Sequence, residues 1–255
     1  MDDFPPVSLA ASRLRDRLRL AAMCCCALLL PRWNHAADSW GGSLAVTSDY
    51  LVRGISRSNQ AAAAQADLHV ATDTGLIGGV FASSVKLNEF DHRNAELSGF
   101  IGYAWQASSA WRAKVVASYY GYVWNDSGSQ YNYAELGFEA AFDDWLDVGL
   151  VYSPDAPRYV FGDGLYGVAA KTAEVTARTP WSHRVAATVG VGYSHLGGAD
   201  GAGGGGYAYW SAGGVLDLAP WSVSLAYVNT NAEAAALFYS AAAHNRWTAT
   251  IIWRF

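Results

Sequence analysis

Cysteine is confined to one place, the consecutive residues Cys24, Cys25 and Cys26. Everything after them lacks a thiol, so the rest of the chain can form neither a disulfide framework nor a thiolate metal site. Charge is scarce as well: Asp, Glu, Lys and Arg make up 15% of the 255 residues, against 52% apolar. Despite that apolar excess there is no run of about 18 apolar residues, the minimum for a helix that spans a bilayer. A basic face is also missing. The net charge of -5 argues against nucleic acid as a partner, which needs clustered Lys and Arg. Aromatics and glycine, in contrast, are plentiful, with 11 Trp, 15 Tyr and 26 Gly. Low charge, many aromatics and no spanning helix fit an outer-membrane β-barrel better than a soluble enzyme.

The N-terminus carries its own signal. Arg13, Arg15, Arg17 and Arg19 precede an apolar stretch from Leu20 to Leu30, and small residues follow at Ala36 and Ala37. A positive segment, a short apolar core and a small-residue cleavage zone together make a secretory signal peptide. Residues 1–37 are therefore expected to be removed, leaving 38–255 as the barrel. The three cysteines fall inside the apolar core. The residues before them, Ala21, Ala22 and Met23, match a lipid-attachment motif poorly, so the cysteines read as apolar filler.

The C-terminus organises the rest. Phe255, Trp253, Ile251, Ala249 and Trp247 fall on one face of a strand, and Arg254, Ile252, Thr250, Thr248 and Arg246 on the other. Successive strand side chains point to opposite faces. One apolar aromatic face and one mostly polar face are what a strand needs between lipid and a lumen. Phe255, Trp253 and Ile251 also resemble the C-terminal signal read by the outer-membrane assembly machinery. The same alternation recurs upstream, as in Trp111, Ala113, Val115, Ala117 and Tyr119 against Arg112, Lys114, Val116, Ser118 and Tyr120. Read this way the chain holds about twelve strands, an even number as single-chain bacterial barrels have. Near 165–178 the parity of Lys171 and Glu174 conflicts, which predicts a bulge or a misplaced strand end.

The connections alternate in length. The long ones are 54–61, 88–94, 125–132, 153–164, 196–206 and 229–245; the short ones are 73–75, 106–110, 143–144, 179–182 and 218–221. Short periplasmic turns and long outer loops give that phase, with both termini periplasmic. Trp40, Trp105, Trp111, Trp145, Trp181, Trp221 and Trp253 lie near the periplasmic ends. Tyr50, Tyr120, Tyr122, Tyr131, Tyr133, Tyr152, Tyr159, Tyr207 and Tyr227 lie near the outer ends. Amphipathic rings settle at membrane–water interfaces, so these predict two girdles. The expected fold is an all-β transmembrane antiparallel up-and-down barrel.

The stretch from Val46 to Gln60, reading Val-Thr-Ser-Asp-Tyr-Leu-Val-Arg-Gly-Ile-Ser-Arg-Ser-Asn-Gln, together with 75–85, which contains Phe81-Ala-Ser-Ser-Val, resembles the start of the TorF family of proteobacterial porin-type proteins. The resemblance runs along the mature chain but is specific in this first hairpin. It implies an outer-membrane barrel of porin type and supplies no catalytic residues.

Chemistry is carried by inward-facing charge. Parity places Asp49, Arg53, Asp67, Lys86, Glu96, Arg112, Lys114, Glu135, Glu139, Asp147, Arg184 and Asp217 in the lumen, with Glu174, Arg246 and Arg254 on the same side. A charge in lipid costs several kcal/mol, so water or an opposite charge is its cheap environment. The leading expectation is a narrow porin-like channel for small solutes or ions in the cell outer membrane, with outer-membrane lipid and the assembly machinery as partners. The alternative is a plugged, non-conducting structural or surface-interaction barrel whose ion pairs fill the lumen. A hydrolase is disfavoured. Ser194 and His195 are adjacent and so point to opposite faces, while Ser240 and His244 have no acidic residue nearer than Glu233 to orient the histidine. His69, His92, His183 and His195 show no metal-ligand spacing, and 196–206 is Gly-rich without the Lys-Ser/Thr of a phosphate loop. No metal and no cofactor are expected. The segment 232–243, rich in alanine with Leu237, Phe238 and Tyr239, favours helix. It should fold over the mouth or rest against lipid or a neighbouring barrel. Outer-loop charges are mostly acidic (Glu89, Asp91, Asp126, Asp155, Asp163, Asp200 and Glu233 against Arg57, Arg93 and Arg158), which predicts a weak cation preference.

Overall fold

A computed structural model describes residues 39–87, 94–124, 131–143, 145–160, 164–199, 202–238 and 240–255. The expected signal peptide, 1–37, lies outside the described residues. In chain order the strands are β1 (Ser39–Thr47), β2 (Leu51–Val52), β3 (Ile55–Ser56), β4 (Ala63–Ala71), β5 (Leu76–Val85), β6 (Asn94–Gln106), β7 (Trp111–Val123), β8 (Tyr133–Phe142), β9 (Leu146–Val160), β10 (Gly164–Pro180), β11 (Val185–Leu196), β12 (Gly205–Leu218), β13 (Trp221–Thr230) and β14 (Arg246–Arg254). A short helix, α1 (Ala232–Leu237), and a 3-10 turn (Ser240–Ala243) precede β14.

All the strands but β2 and β3 form one closed antiparallel barrel of twelve strands. Each pairs with its sequence neighbour, and β1 closes the ring on β14 with Ser43 opposite Arg254 and Thr47 opposite Thr250. Closure pairs every ladder edge, which a structure in lipid requires because no water is there to satisfy free backbone groups. At the seam the Phe255 and Gly42 backbones exchange hydrogen bonds in both directions, 3.1 and 3.2 Å. The Phe255 ring lies over Gly42, where an added Cβ would come within 2.8 Å of it. No helix among the described residues is long and apolar enough to cross a membrane, which says nothing of strands.

The wall is inside out relative to a soluble protein. Along β11, Val185, Val189, Val191 and Tyr193 are exposed, while Ala186, Thr188 and Ser194 are buried. Along β14, Trp247 and Ile251 are exposed and Thr248 is buried. Period-two patterning with the apolar set outward is the pattern of a barrel solvated by hydrocarbon. Tryptophans gather at one rim: Trp111, Phe142 and Trp145 pack in series with ring centroids 5.0 and 5.7 Å apart. Trp221, Trp253 and Phe255 do the same at 6.3 and 5.1 Å.

Two boundaries differ from the sequence reading. The segment 153–164 is not a loop; β9 runs on to Val160 and β10 starts at Gly164, making a tall hairpin. The irregularity predicted in β10 belongs to β9. Val168 faces Ala156 and Ala170 faces Ser153, so the extra residue sits at Pro154–Asp155. Proline cannot donate to a ladder, and a bulge absorbs that gap. Lys171 then faces outward, exposed, at the level of Tyr152 and His195. The second difference is β1. The strand expected to run through Arg53 ends at Thr47, and the chain turns inward.

Candidate functional site: the interior and its inward hairpin

The first outer connection, 48–62, folds into the barrel. Its core is the β2–β3 hairpin, where Leu51 pairs with Ser56 and Val52 with Ile55. The two turn residues, Arg53 and Gly54, have φ of 52° and 78°, the double positive φ of a tight hairpin turn whose twist suits the flanking strands. Glycine is also sterically required at 54, since an added Cβ would sit 2.7 Å from Thr230 and 3.0 Å from Tyr209.

Asp49 organises the base of this loop. One carboxylate oxygen accepts Ser56 Oγ at 2.6 Å and Ser58 Oγ at 2.8 Å. The other accepts Arg246 Nη1 at 2.7 Å. Ser58 Oγ in turn accepts the Tyr50 amide at 2.9 Å. Arg246 also donates to the carbonyls of His244 and Ala242, at 2.8 and 3.0 Å, so one guanidinium ties the first outer loop to the last.

The hairpin reaches across the interior. Val52 clusters with Ala63, Val85, Tyr120, Tyr122 and Tyr133, from β4, β5, β7 and β8. Ile55 clusters with Ala156, Val168, Ala170, Leu196, Tyr207 and Tyr209, from β9 to β12, and with Ala234 of α1. At the tip, Arg53 makes a bidentate pair with Glu135 on β8, 2.7 and 3.0 Å, while Gly54 abuts β12 and β13. Tyr50 donates to Glu96 on β6 at 2.9 Å, and Tyr122 to the other Glu96 oxygen at 2.6 Å. Burial works against charge on Arg53, but Glu135, together with Tyr133 and Tyr209, outweighs it and holds the guanidinium well above its ordinary pKa. Arg57 is raised likewise: burial opposes its charge, and Tyr122, Tyr133 and Glu96 outweigh that. Its guanidinium lies over the Tyr133 ring, 5.9 Å from the centroid.

Nearer the tryptophan rim the interior charges pair strand to strand. Lys114 meets Glu139 at 3.1 Å, directly across the β7–β8 ladder. Arg178 meets Asp217 at 3.1 Å, and Arg254 approaches the same carboxylate at 3.9 Å. Asp147 lies in the field of Glu139, Lys114, Arg112 and Arg178. Asp67 accepts from Ser43 and contacts His69 Nδ1 at 2.6 Å. Buried ions survive only when paired in this way.

These positions bring most of the expected residues together. Asp67, Glu96, Arg112, Lys114, Glu135, Glu139, Asp147 and Asp217 come from the wall, while Asp49 and Arg53 come from the inward loop rather than from a strand face. Two others stand apart from these charges. Arg184 is exposed in the turn 181–184, hydrogen-bonded through its amide to Ser182. Lys86 lies one residue past β5, half-buried, with its amide donating to the Arg57 carbonyl of the inward loop at 2.9 Å. The outer tyrosine girdle is corrected. Tyr50, Tyr120, Tyr122, Tyr133 and Tyr207 are buried inside, and the outward rings are Tyr119, Tyr152, Tyr159 and Tyr193 with Trp210 and Trp247. Sequence position set the level along the axis; parity and the inward turn at Asp49 set the side.

The last outer loop also closes over the interior. Ala234 of α1 is 0% exposed, Leu237 packs near Gly205, and Phe238 stacks edge-on to Tyr207 with centroids 5.3 Å apart. The 3-10 turn touches β3.

A family model described as "Bacterial protein of unknown function (Gcw_chp)" matches residues 36–254. The chain belongs to the Gcw_chp family. No curated protein sequence matches it. In fold, this Gcw_chp chain is similar to the KdgM porin, with a TM-score of 0.51 at 10% identity over 84% of this chain and 99% of that one. It is similarly close to the NanC porin, with a TM-score of 0.51 at 8% identity over 84% and 98%. A KdgM porin "in complex with disordered oligogalacturonate" gives 0.50 at 9% identity over 85% and 99%. The shared feature is the barrel. Among the described residues of the Gcw_chp chain no group of three or more His, Cys, Asp or Glu could hold a metal ion.

Proposed function

We propose that this chain is an outer-membrane channel of porin type, through which small solutes or ions diffuse passively, and that it is not an enzyme. The observation that carries the reading is the reversed wall: apolar side chains outside, and paired charges such as Lys114–Glu139 and Arg178–Asp217 inside. A barrel built only as an anchor could fill its interior with apolar side chains. A polar interior keeps water and ions tolerable there. The likeness to porins and the resemblance to TorF-type sequences support the same reading.

In this proposal the lining is Asp67, Glu96, Arg112, Lys114, Glu135, Glu139, Asp147 and Asp217, and Arg53 with Asp49 narrows the path. Phe255, Trp253 and Ile251 are the assembly signal, and lipid covers the outer belt. One fold neighbour, a KdgM porin, is in complex with disordered oligogalacturonate. With Arg178, Arg246 and Arg254 added, the interior holds seven acidic and six basic groups, so that ligand is not carried over. With a nearly balanced interior and acidic outer loops, the channel is weakly cation-preferring.

Single-channel recording of the refolded mature chain in planar bilayers tests the proposal. The expected result is a small conductance, with a reversal potential in a KCl gradient that favours K⁺ and shrinks as salt rises. A folded barrel that passes no current would instead make it a plugged structural barrel. An anion preference would remove the outer-loop charges from the selectivity argument.

A further inference from the structure

We infer that the β2–β3 hairpin is a displaceable gate, hinged at its Asp49 base and latched at its tip by Arg53 and Glu135. This rests on the channel reading and names the part that regulates it. Three observations carry it. First, the barrel wall is complete without the hairpin, because β1 pairs directly with both β4 and β14. Withdrawing the hairpin therefore breaks no bond of the barrel ladder. Second, base and tip are held differently. The base is a compact unit in which Asp49 gathers Ser56, Ser58 and Arg246, and the Arg57 amide closes on the Tyr50 carbonyl at 2.7 Å. The return limb passes through Asn59 and Gln60, both at positive φ. At the tip the polar hold is one bidentate ion pair, Arg53–Glu135, set between the apolar contacts of Val52 and Ile55.

Third, the strength of that latch depends on water. A buried ion pair trades its mutual attraction against lost hydration, so the intact latch adds little net hold beyond the apolar packing of Val52 and Ile55. Removing one partner leaves the other charge buried and unpaired, which shifts the balance toward the withdrawn position, where water can reach it. β8 and β13, which flank the tip, are five steps apart in the ring of twelve strands. A latched hairpin thus crosses the mouth rather than lining one wall.

The experiment compares single-channel records of four barrels, each first shown to be folded by heat-dependent gel mobility. They are wild type, Glu135→Gln, the charge swap Arg53→Glu with Glu135→Arg, and a variant in which 51–56 is replaced by two glycines. The expected result is an open probability about tenfold higher in Glu135→Gln, the factor that ~1.4 kcal/mol of latch energy represents. The swap should return it toward wild type, and the hairpin-less barrel should give a steady current without closures. Identical records from wild type, Glu135→Gln and the hairpin-less barrel would overturn the gate while leaving the channel reading standing. A folded hairpin-less barrel that passes no current would overturn the channel reading itself. Should the hairpin-less variant fail to fold, the Glu135→Gln and charge-swap pair decides alone: no rise, or no reversal by the swap, sinks the gate.

Discussion

At the scale of single residues, two positions tie the interior together more than their chemistry announces. Asp49 serves two serines and one guanidinium at once. Asp49→Ala leaves Arg246 buried without its carboxylate, and breaking such a pair costs about 3–5 kcal/mol. The expected outcome is a folded barrel with a clearly lower temperature of unfolding on heated gels; an unchanged midpoint would show that the carbonyls of Ala242 and His244, which Arg246 already meets, suffice to hold it. Gly54 is the second. Valine there meets both a positive φ and the side chains of Thr230 and Tyr209. Gly54→Val should displace the hairpin and raise conductance, whereas Gly54→Ala should do so less. Equal currents in both would mean that the tip has room to shift.

Among the elements, β14 and α1 do different work at opposite rims. β14 ends at the seam, with the Phe255 ring on Gly42 and Trp253 between Trp221 and Phe255. Deleting Phe255, or changing it to Asp, should lower the amount of barrel in the outer membrane while export to the periplasm stays intact. Unchanged surface levels would separate the ring from any role in assembly. α1 confirms the helical leaning of its alanine-rich stretch, and it packs on β12 over the interior rather than outward. Removing 232–243 should enlarge the single-channel current if this element narrows the mouth. The same current would place the constriction at the β2–β3 hairpin alone.

For the whole molecule, closure is the property with the plainest consequence. With every strand paired around the ring, detergent gains no free edge to attack. The mature protein should resist SDS until boiled, migrate differently before and after heating, and give a β-rich circular dichroism spectrum. A helical spectrum, or mobility indifferent to heating, would contradict the closed ring.

The sequence by itself determined the wall. Period-two alternation, the long–short phase of the connections and the tryptophans at one set of strand ends were enough for twelve strands, their order and their outward faces. Each of these is a local signal: a strand's two faces are written into consecutive residues. The bulge and the helical segment were legible for the same reason, although the extra residue proved to be in β9. What only the tertiary structure decided was the filling. Whether Tyr122 or Tyr119 points inward follows from parity, but that Tyr50 leaves the lipid-side parity of Leu44 and joins Glu96 follows from the turn at Asp49. Its partners, Ser56, Ser58 and Arg246, lie up to 197 residues away in the chain. The signal was present as Val52-Arg53-Gly54-Ile55, a hairpin turn between branched apolar residues. Nothing local shows whether such a hairpin stands in water or lies across a lumen. That is settled by charge burial, because Arg53 is stable inside only where Glu135, from a strand far along the chain, is waiting for it.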